Sequence, residues 1–245
     1  MNFGIAEIVL NSAFCTLHSA LKKETMEFKR MTLLAGHYGS GKTNIAVNLA
    51  FSLKKRYDNV VVADMDIVNP YFRTKDSTED FEKAGIKLIA SRFAGSNVDL
   101  PSLPQEMYSL TDDKTCHAIL DIGGDERGAL VLGRYAPMIQ EEGDYEMLFV
   151  FNSARPLTPD ADSAIEVMRE IEWAGKIPFT GIVNNTNIGE ETTPETVISS
   201  MKKAEELCEK TGLPILMTTV HERIFSSLED KIPNLYPLKL QAKIL

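Results

Sequence analysis

Eight consecutive residues, Gly36-His37-Tyr38-Gly39-Ser40-Gly41-Lys42-Thr43, have the types and spacing needed to hold a chain of phosphates. They fit GxxxxGK[ST]. Glycines let the backbone turn several N–H groups inward toward phosphate oxygens. A helix beginning where the segment ends adds the positive end of its dipole. The amine of Lys42 reaches the β- and γ-phosphates, and the hydroxyl of Thr43 ligates Mg²⁺. Gly36, His37, Gly39, Ser40, Gly41, Lys42, Thr43 and Asn44 are therefore candidate nucleotide-binding residues, with Lys42 also a candidate catalytic cation.

Such a loop needs carboxylates at the same sheet edge, and two segments offer them: Asp64-Met65-Asp66 and Asp121-Ile122-Gly123-Gly124. Asp121, after an apolar run, is suited to orient the shell of Mg²⁺, so Thr43 and Asp121 are the candidate metal residues. Gly124 completes a DxxG, whose glycine N–H can sense a γ-phosphate. Asp64 and Asp66 are two apart; one would place the cation and the other the attacking water, and either also reads as a loop cap. A further polar segment, Asn184-Asn185-Thr186-Asn187, stands where GTPases carry NKxD. The aspartate position holds Asn187, whose amide cannot accept both donors of guanine as a carboxylate does. This favours ATP, with Asn184 as the residue for the base, a position that also reads as a side chain tying loops together.

The elements that must position these groups follow from patterning. Short, nearly continuous apolar runs at Met31–Ala35, Val60–Ala63, Lys87–Ala90, Ala118–Leu120, Met147–Phe151, Phe179–Val183 and Ile215–Met217 read as strands buried on both faces. Helices lie between them. Asn44–Arg56 places Ile45, Leu49 and Leu53 on one face. Thr158-Pro159-Asp160 starts a helix running to about Trp173, and Thr193-Pro194-Glu195 starts another that stops at Gly212. Strands alternating with helices predict a three-layer α/β P-loop NTPase domain over 29–245, with a mostly parallel, doubly wound sheet of about seven strands. Residues 1–28 read as an N-terminal helical extension, with Ile5, Ile8, Val9, Ala13, Leu17 and Leu21 at roughly helical spacing.

Together the P-loop, the DxD, the DIGG and the Asn-ended late strand resemble the MinD/ParA/CobQ-type nucleotide-binding superfamily, over about residues 30–220. The resemblance implies ATP with Mg²⁺ as cofactors, a hydrolytic role for Asp66 and the Walker-B role for Asp121. The lysine that MinD and ParA carry after the first glycine, which crosses to a partner's phosphates, is His37 here. A nucleotide-dependent homodimer is thus left open.

The 245 residues are 44% apolar and 25% charged, with a net charge of −9, which fits one globular domain and argues against nucleic acid as a partner. No apolar run is long enough to span a membrane, the polar face of the first helix carries few cations, and Cys15, Cys116 and Cys208 form no CxxC, so a cytoplasmic protein is expected. Asn69-Pro70-Tyr71-Phe72-Arg73 reads as a partner-facing switch or as inward-packed aromatics. Arg127, Arg134 and Arg155 are further cations for the phosphates, though each singly reads as a surface arginine. The expected activity is a slow Mg-dependent ATPase that controls a protein partner. The alternative is an ATP-dependent small-molecule ligase or kinase of the dethiobiotin-synthetase-like type.

Overall fold

The computed structural model describes residues 26–66, 77–90, 105–124 and 126–240. β1 (Met31–Ala35) is buried at every position, the consequence of helices on both of its faces. It leads through the glycine loop into α1 (Lys42–Lys54), then β2 (Val60–Asp64), α2 (Thr78–Ala84) and β3 (Lys87–Ala90). The short α3 (Ser109–Asp112) precedes β4 (His117–Asp121), followed by α4 (Glu126–Gly133), α5 (Ala136–Glu142) and β5 (Tyr145–Phe151). The chain continues as α6 (Ala161–Gly175), β6 (Gly181–Asn184), α7 (Pro194–Thr211), β7 (Ile215–His221), α8 (Glu222–Phe225) and β8 (Leu235–Leu238).

All strand pairs are parallel, in the order β3-β2-β4-β1-β5-β6-β7-β8. Right-handed crossovers then decide which face each helix covers. The steps from β1 to β2 and from β2 to β3 run toward one edge, and α1 and α2 share one core, with Ile45, Leu49 and Phe81 fully buried. The steps toward the other edge send α4, α5, α6 and α7 to the opposite core, through Leu132, Ile139, Ile171 and Leu207. Burying one such Leu or Ile contributes about 1.5–3 kcal/mol, so truncating Leu49 to Ala would cost about 2–5 kcal/mol. The strand order reverses beside β1, where open α/β sheets form their ligand crevice.

The described residues hold an eighth strand beyond the seven expected. Pro237 argues against a strand in isolation, but β8 lies at the sheet edge and pairs with β7 from Thr218↔Leu235 to His221↔Leu238, where proline is tolerated. Its end is clamped to α1: Asn48 donates through Nδ2 to the carbonyl of Lys239 at 2.9 Å and accepts from its N–H at 2.8 Å. One helix start is also corrected. The cap of α6 is Asp160, which accepts from N of Ser163 at 2.9 Å, whereas Thr158 is buried and donates to the carbonyl of Asn152 at 2.8 Å. The start of α7 is as expected, capped by Thr193 with Pro194 in its first turn.

Near the N-terminal end of the interior strand β5, Glu146 is buried and accepts from N of Lys29 at 3.1 Å and from Oγ1 of Thr32 at 2.9 Å. Burial pushes its carboxyl above the usual range, and those two bonds oppose the shift. Among the described residues no helix is long and apolar enough to cross a membrane. Residues 1–25, most of the expected N-terminal extension, and the 69–73 segment lie outside the described residues. Met26 and Phe28 pack against the α1 side of the core.

Candidate nucleotide-binding site

The chain leaves β1 at Gly36 with φ +151°, and a Cβ there would sit 2.6 Å from the carbonyl oxygen of Val150. Gly39 and Gly41 are left-handed, at φ +74° and +96°, a conformation other residues adopt only at a cost. Between them N of Ser40 donates to the carbonyl of His37 at 3.1 Å. Gly41 is also the N-cap of α1 and makes no side-chain cap bond, and the positive end of that helix dipole lies at the loop. Asn44 stands in this first turn, its carbonyl accepting from Asn48 at 2.8 Å.

Lys42 is buried and its Nζ curls over the loop, donating to the carbonyls of Gly36 at 3.0 Å and His37 at 3.2 Å. The ammonium is thereby held over the concave side of the glycine turn. Thr43 Oγ1 donates to Oδ2 of Asp121 at 2.7 Å. Strand alternation explains the pairing: Asp64, Asp121 and the α1-facing Ile119 lie on one side of the sheet, and Asp64 and Asp121 are register partners at the ends of β2 and β4. A hydroxyl and a carboxylate are hard oxygen donors. They fit Mg²⁺, which keeps several waters and takes further oxygens from phosphates rather than requiring an all-protein cage. Among the described residues no group of three or more His, Cys, Asp or Glu is placed to hold a metal ion by itself.

The two carboxylates at the end of β2 and just beyond it have different surroundings. Asp64 Oδ1 accepts from N of Asp66 at 3.0 Å, which makes it a cap for this turn. Asp66 is 8% exposed and reaches the β4 loop, its Oδ1 lying 3.5 Å from where a Cβ on Gly123 would be. Gly124 closes on the phosphate loop: a Cβ there would fall 2.6 Å from N of Tyr38 and 2.9 Å from Nζ of Lys42. His37 is half-buried, with Nδ1 3.0 Å from the carbonyl of its neighbour Tyr38. The structure thus brings Lys42, Thr43, Asp66, Asp121 and Gly124 to one sheet edge.

Asn184 is placed elsewhere. It is fully buried on the α7 side, where Nδ2 donates to Ser200 Oγ at 2.9 Å and meets Met201 Sδ at 3.5 Å. Its Oδ1 accepts from Oγ1 of Thr186 at 2.9 Å and from N of Thr186 at 3.3 Å. The amide that touches the phosphate loop belongs to Asn185, one residue on and therefore on the other face. Its Nδ2 donates to the carbonyl of Ser40 at 2.6 Å, and its Oδ1 accepts from Thr219 Oγ1 at 2.6 Å. Sequence reasoning missed Asn185; the signal that could have found it is parity, since Val183 packs toward α1 and Ile182 toward α6 and α7. Asn187 turns into its own loop, donating to the carbonyl of Asn185 at 2.8 Å and accepting from N of Gly189 at 3.3 Å. Of the further cations, Arg155 lies beside Gly39 and Arg134 is exposed, while Arg73 and the side chain of Arg127 lie outside what the structure describes.

Residues 32–231 match the family model of the CobQ/CobB/MinD/ParA nucleotide binding domain. No curated protein matches the chain significantly in sequence. Among solved structures, the chain is similar to the signal recognition particle 54 kDa protein from Aeropyrum pernix K1 in complex with GDP, with TM-score 0.52 and 16% identity over 86% of this chain and 46% of that one. It is also similar to the cell division protein FtsY from Thermotoga maritima, with TM-score 0.57 and 14% identity over 86% and 70% of the two chains. FtsY from Mycoplasma mycoides gives TM-score 0.51 and 15% identity over 89% and 78%. At these identities the likeness is one of fold, and the chain spans about half the length of the signal recognition particle protein.

Proposed function

Because the chain belongs to the CobQ/CobB/MinD/ParA nucleotide-binding domain family, we propose that it is a Mg-dependent ATPase whose nucleotide state controls a protein partner in the cytoplasm. The observation that carries this reading is the closed constellation at the end of β1. There Lys42 is held to two loop carbonyls, Thr43 is bonded to Asp121, and Gly124 lies against both Tyr38 and Lys42.

In this reading the loop N–H groups and Lys42 bind the β- and γ-phosphates, and Thr43 and Asp121 hold Mg²⁺, which supplies charge neutralisation to the phosphates when bound. Asp66, against Gly123, orients the attacking water. The Gly124 peptide beside Lys42 cannot shift without disturbing the phosphate loop, so it couples nucleotide state to the β4–α4 connection. The preference for ATP is supported by position 187. Guanine recognition needs a carboxylate for two adjacent donors, and the side chain there is an amide engaged by its own loop. The base is placed against the Asn185 side of β6, where that amide already bridges Ser40 and Thr219.

The test is phosphate release from Mg·ATP and Mg·GTP by the full chain and by Lys42→Ala. Slow, Lys42-dependent release favouring ATP is expected. A preference for GTP would overturn the base assignment, and absence of binding to either nucleotide would overturn the function. Stimulation by a single metabolite rather than by a protein would point to an ATP-dependent ligase or kinase instead.

A further inference from the structure

The connection after β5 is drawn tight by its own bonds. N of Ala154 donates to Oδ1 of Asn152 at 3.0 Å, and N of Arg155 donates to the carbonyl of Asn152 at 3.1 Å. Thr158 closes the turn, its Oγ1 donating to that same carbonyl at 2.8 Å and its N to the carbonyl of Arg155 at 3.2 Å. The turn is also tied to the end of β6 by N of Ser153, which donates to Thr186 Oγ1 at 3.0 Å.

Arg155 therefore projects from a fixed backbone, and its side chain runs along the phosphate loop. A Cβ on Gly39 would lie 3.7 Å from Nε, 3.9 Å from Cζ and 4.0 Å from Cδ. Among the described residues, Nε is buried without a hydrogen-bond partner and the guanidinium is in no ion pair. A guanidinium is always charged, and its planar fork matches phosphate oxygens. Leaving one of its N–H groups buried and unmet is costly, and the anion that comes to Gly39 is a polyphosphate.

We propose that Arg155 is a second phosphate-binding cation, acting in cis beside Lys42 on the γ-phosphate end of the bound nucleotide. This inference rests on the nucleotide-hydrolysis reading above and adds a residue to it. In hydrolysis the oxygen of water bonds to the γ-phosphorus while the bond from that phosphorus to the β–γ bridging oxygen breaks. The electron pair stays with ADP, and the protons of water pass to phosphate and solvent. Negative charge grows on the bridging oxygen and β-phosphate, so a cation fixed beside Gly39 stabilises the transition state more than the ground state. His37, turned to the carbonyl of Tyr38 at 3.0 Å, has one ring nitrogen taken up within the loop.

The experiment compares the full chain with Arg155→Ala and Arg155→Lys by calorimetric titration with Mg·ATP and Mg·ADP and by phosphate release. For Arg155→Ala, ATP affinity falls about tenfold or more and ADP affinity changes less than about twofold, the size of one lost charge-assisted contact. Turnover falls on the order of 10²-fold or more. Arg155→Lys recovers part of it, and added guanidinium rescues Arg155→Ala but not Lys42→Ala. An equimolar mixture of Lys42→Ala and Arg155→Ala stays inactive, because both cations must come from one chain.

An ATP-to-ADP affinity ratio and turnover equal to those of the parent would overturn the proposal. So would equal losses for both nucleotides without rescue, which would make Arg155 a prop for Gly39. Activity regained in the mixture would replace cis by trans action. If the parent chain binds nucleotide without turnover, the affinity ratio decides alone. If it binds none, the functional reading falls and this inference with it, whereas an unaffected Arg155→Ala in a binding-competent parent removes this inference only.

Discussion

Two neighbouring asparagines should fail in different ways when truncated. Asn184→Ala removes an amide whose partners are buried. N and Oγ1 of Thr186 lose the acceptor they share, while Ser200 keeps the carbonyl of Val197 at 2.7 Å. The hydroxyl can turn to Ser153 Oγ at 3.4 Å, so one orphaned N–H remains, at about 1–3 kcal/mol of lost stability. For a domain of this size that lowers Tm by roughly 2–12 °C. The phosphate loop is not touched, so Mg·ATP affinity at a temperature where the variant is folded stays within about twofold. Asn185→Ala instead releases the carbonyl of Ser40 and the hydroxyl of Thr219. Its stability cost is similar or smaller, because the Ser40 carbonyl then opens to the nucleotide cleft. The loop loses the tie that holds it against β6, and about 1–2 kcal/mol of preorganisation lost from binding weakens Mg·ATP by about 5–30-fold. Urea or thermal melts paired with calorimetric titration separate the two. If Asn184→Ala weakens nucleotide binding as much as Asn185→Ala while its Tm is unchanged, the assignment of faces is wrong.

Three further outcomes follow from the same geometry. Gly124→Ala puts a methyl 2.6 Å from N of Tyr38 and 2.9 Å from Nζ of Lys42; nucleotide affinity should fall at least about tenfold with helix content retained by circular dichroism. Thr43→Val removes the hydroxyl that Asp121 accepts from at 2.7 Å, and a magnesium titration of ATP binding should show half-saturation shifted upward about tenfold, while binding at saturating magnesium recovers. Glu146→Gln keeps an oxygen for Lys29 and Thr32 but removes a buried carboxylate whose pKa is raised by burial. A raised folded-state pKa means that the stability linked to protonation is present below the ordinary carboxylate range and lost as pH rises through the folded value. The variant should therefore melt higher than the parent at neutral pH, with the gap closing as pH falls through that range; a gap that widens on acidification would contradict it.

Much of the site was legible because its chemistry is local. The glycine spacing, Lys42 and Thr43 lie in one stretch of chain, and the apolar runs before Asp64 and Asp121 announce strands whose ends must meet them. The fold class followed from the alternation of those runs with helices. What was not legible depended on parity or on distant partners. Asn184 and Asn185 are equivalent in composition, and only the register of β6 decides which faces α1. Leu235–Leu238 contains a proline and becomes a strand through β7 alone. Thr158 and Asp160 both have capping side chains, and the choice fell to Asp160 because the turn after β5 had already engaged the threonine hydroxyl. Arg155 looks like a surface residue until that turn lays it against Gly39.

The strand order carries a consequence for how the chain assembles. β1 is made early, yet its neighbours are β4 and β5, and the bond from Asn185 to Ser40 closes a separation of 145 residues. The phosphate loop therefore cannot acquire its walls from local sequence. It waits for β5, whose Val150 backbone abuts Gly36, and then for the end of β6. Long-range parallel pairings of this kind are slow to form because loop closure must precede any reward. During synthesis the glycine segment emerges long before the strands that shape it, so nucleotide meets a formed cradle only once the end of β6 has been made. From that point bound nucleotide favours the completed arrangement by mass action, and a ligand of the finished protein also acts as a selector for its last folding step.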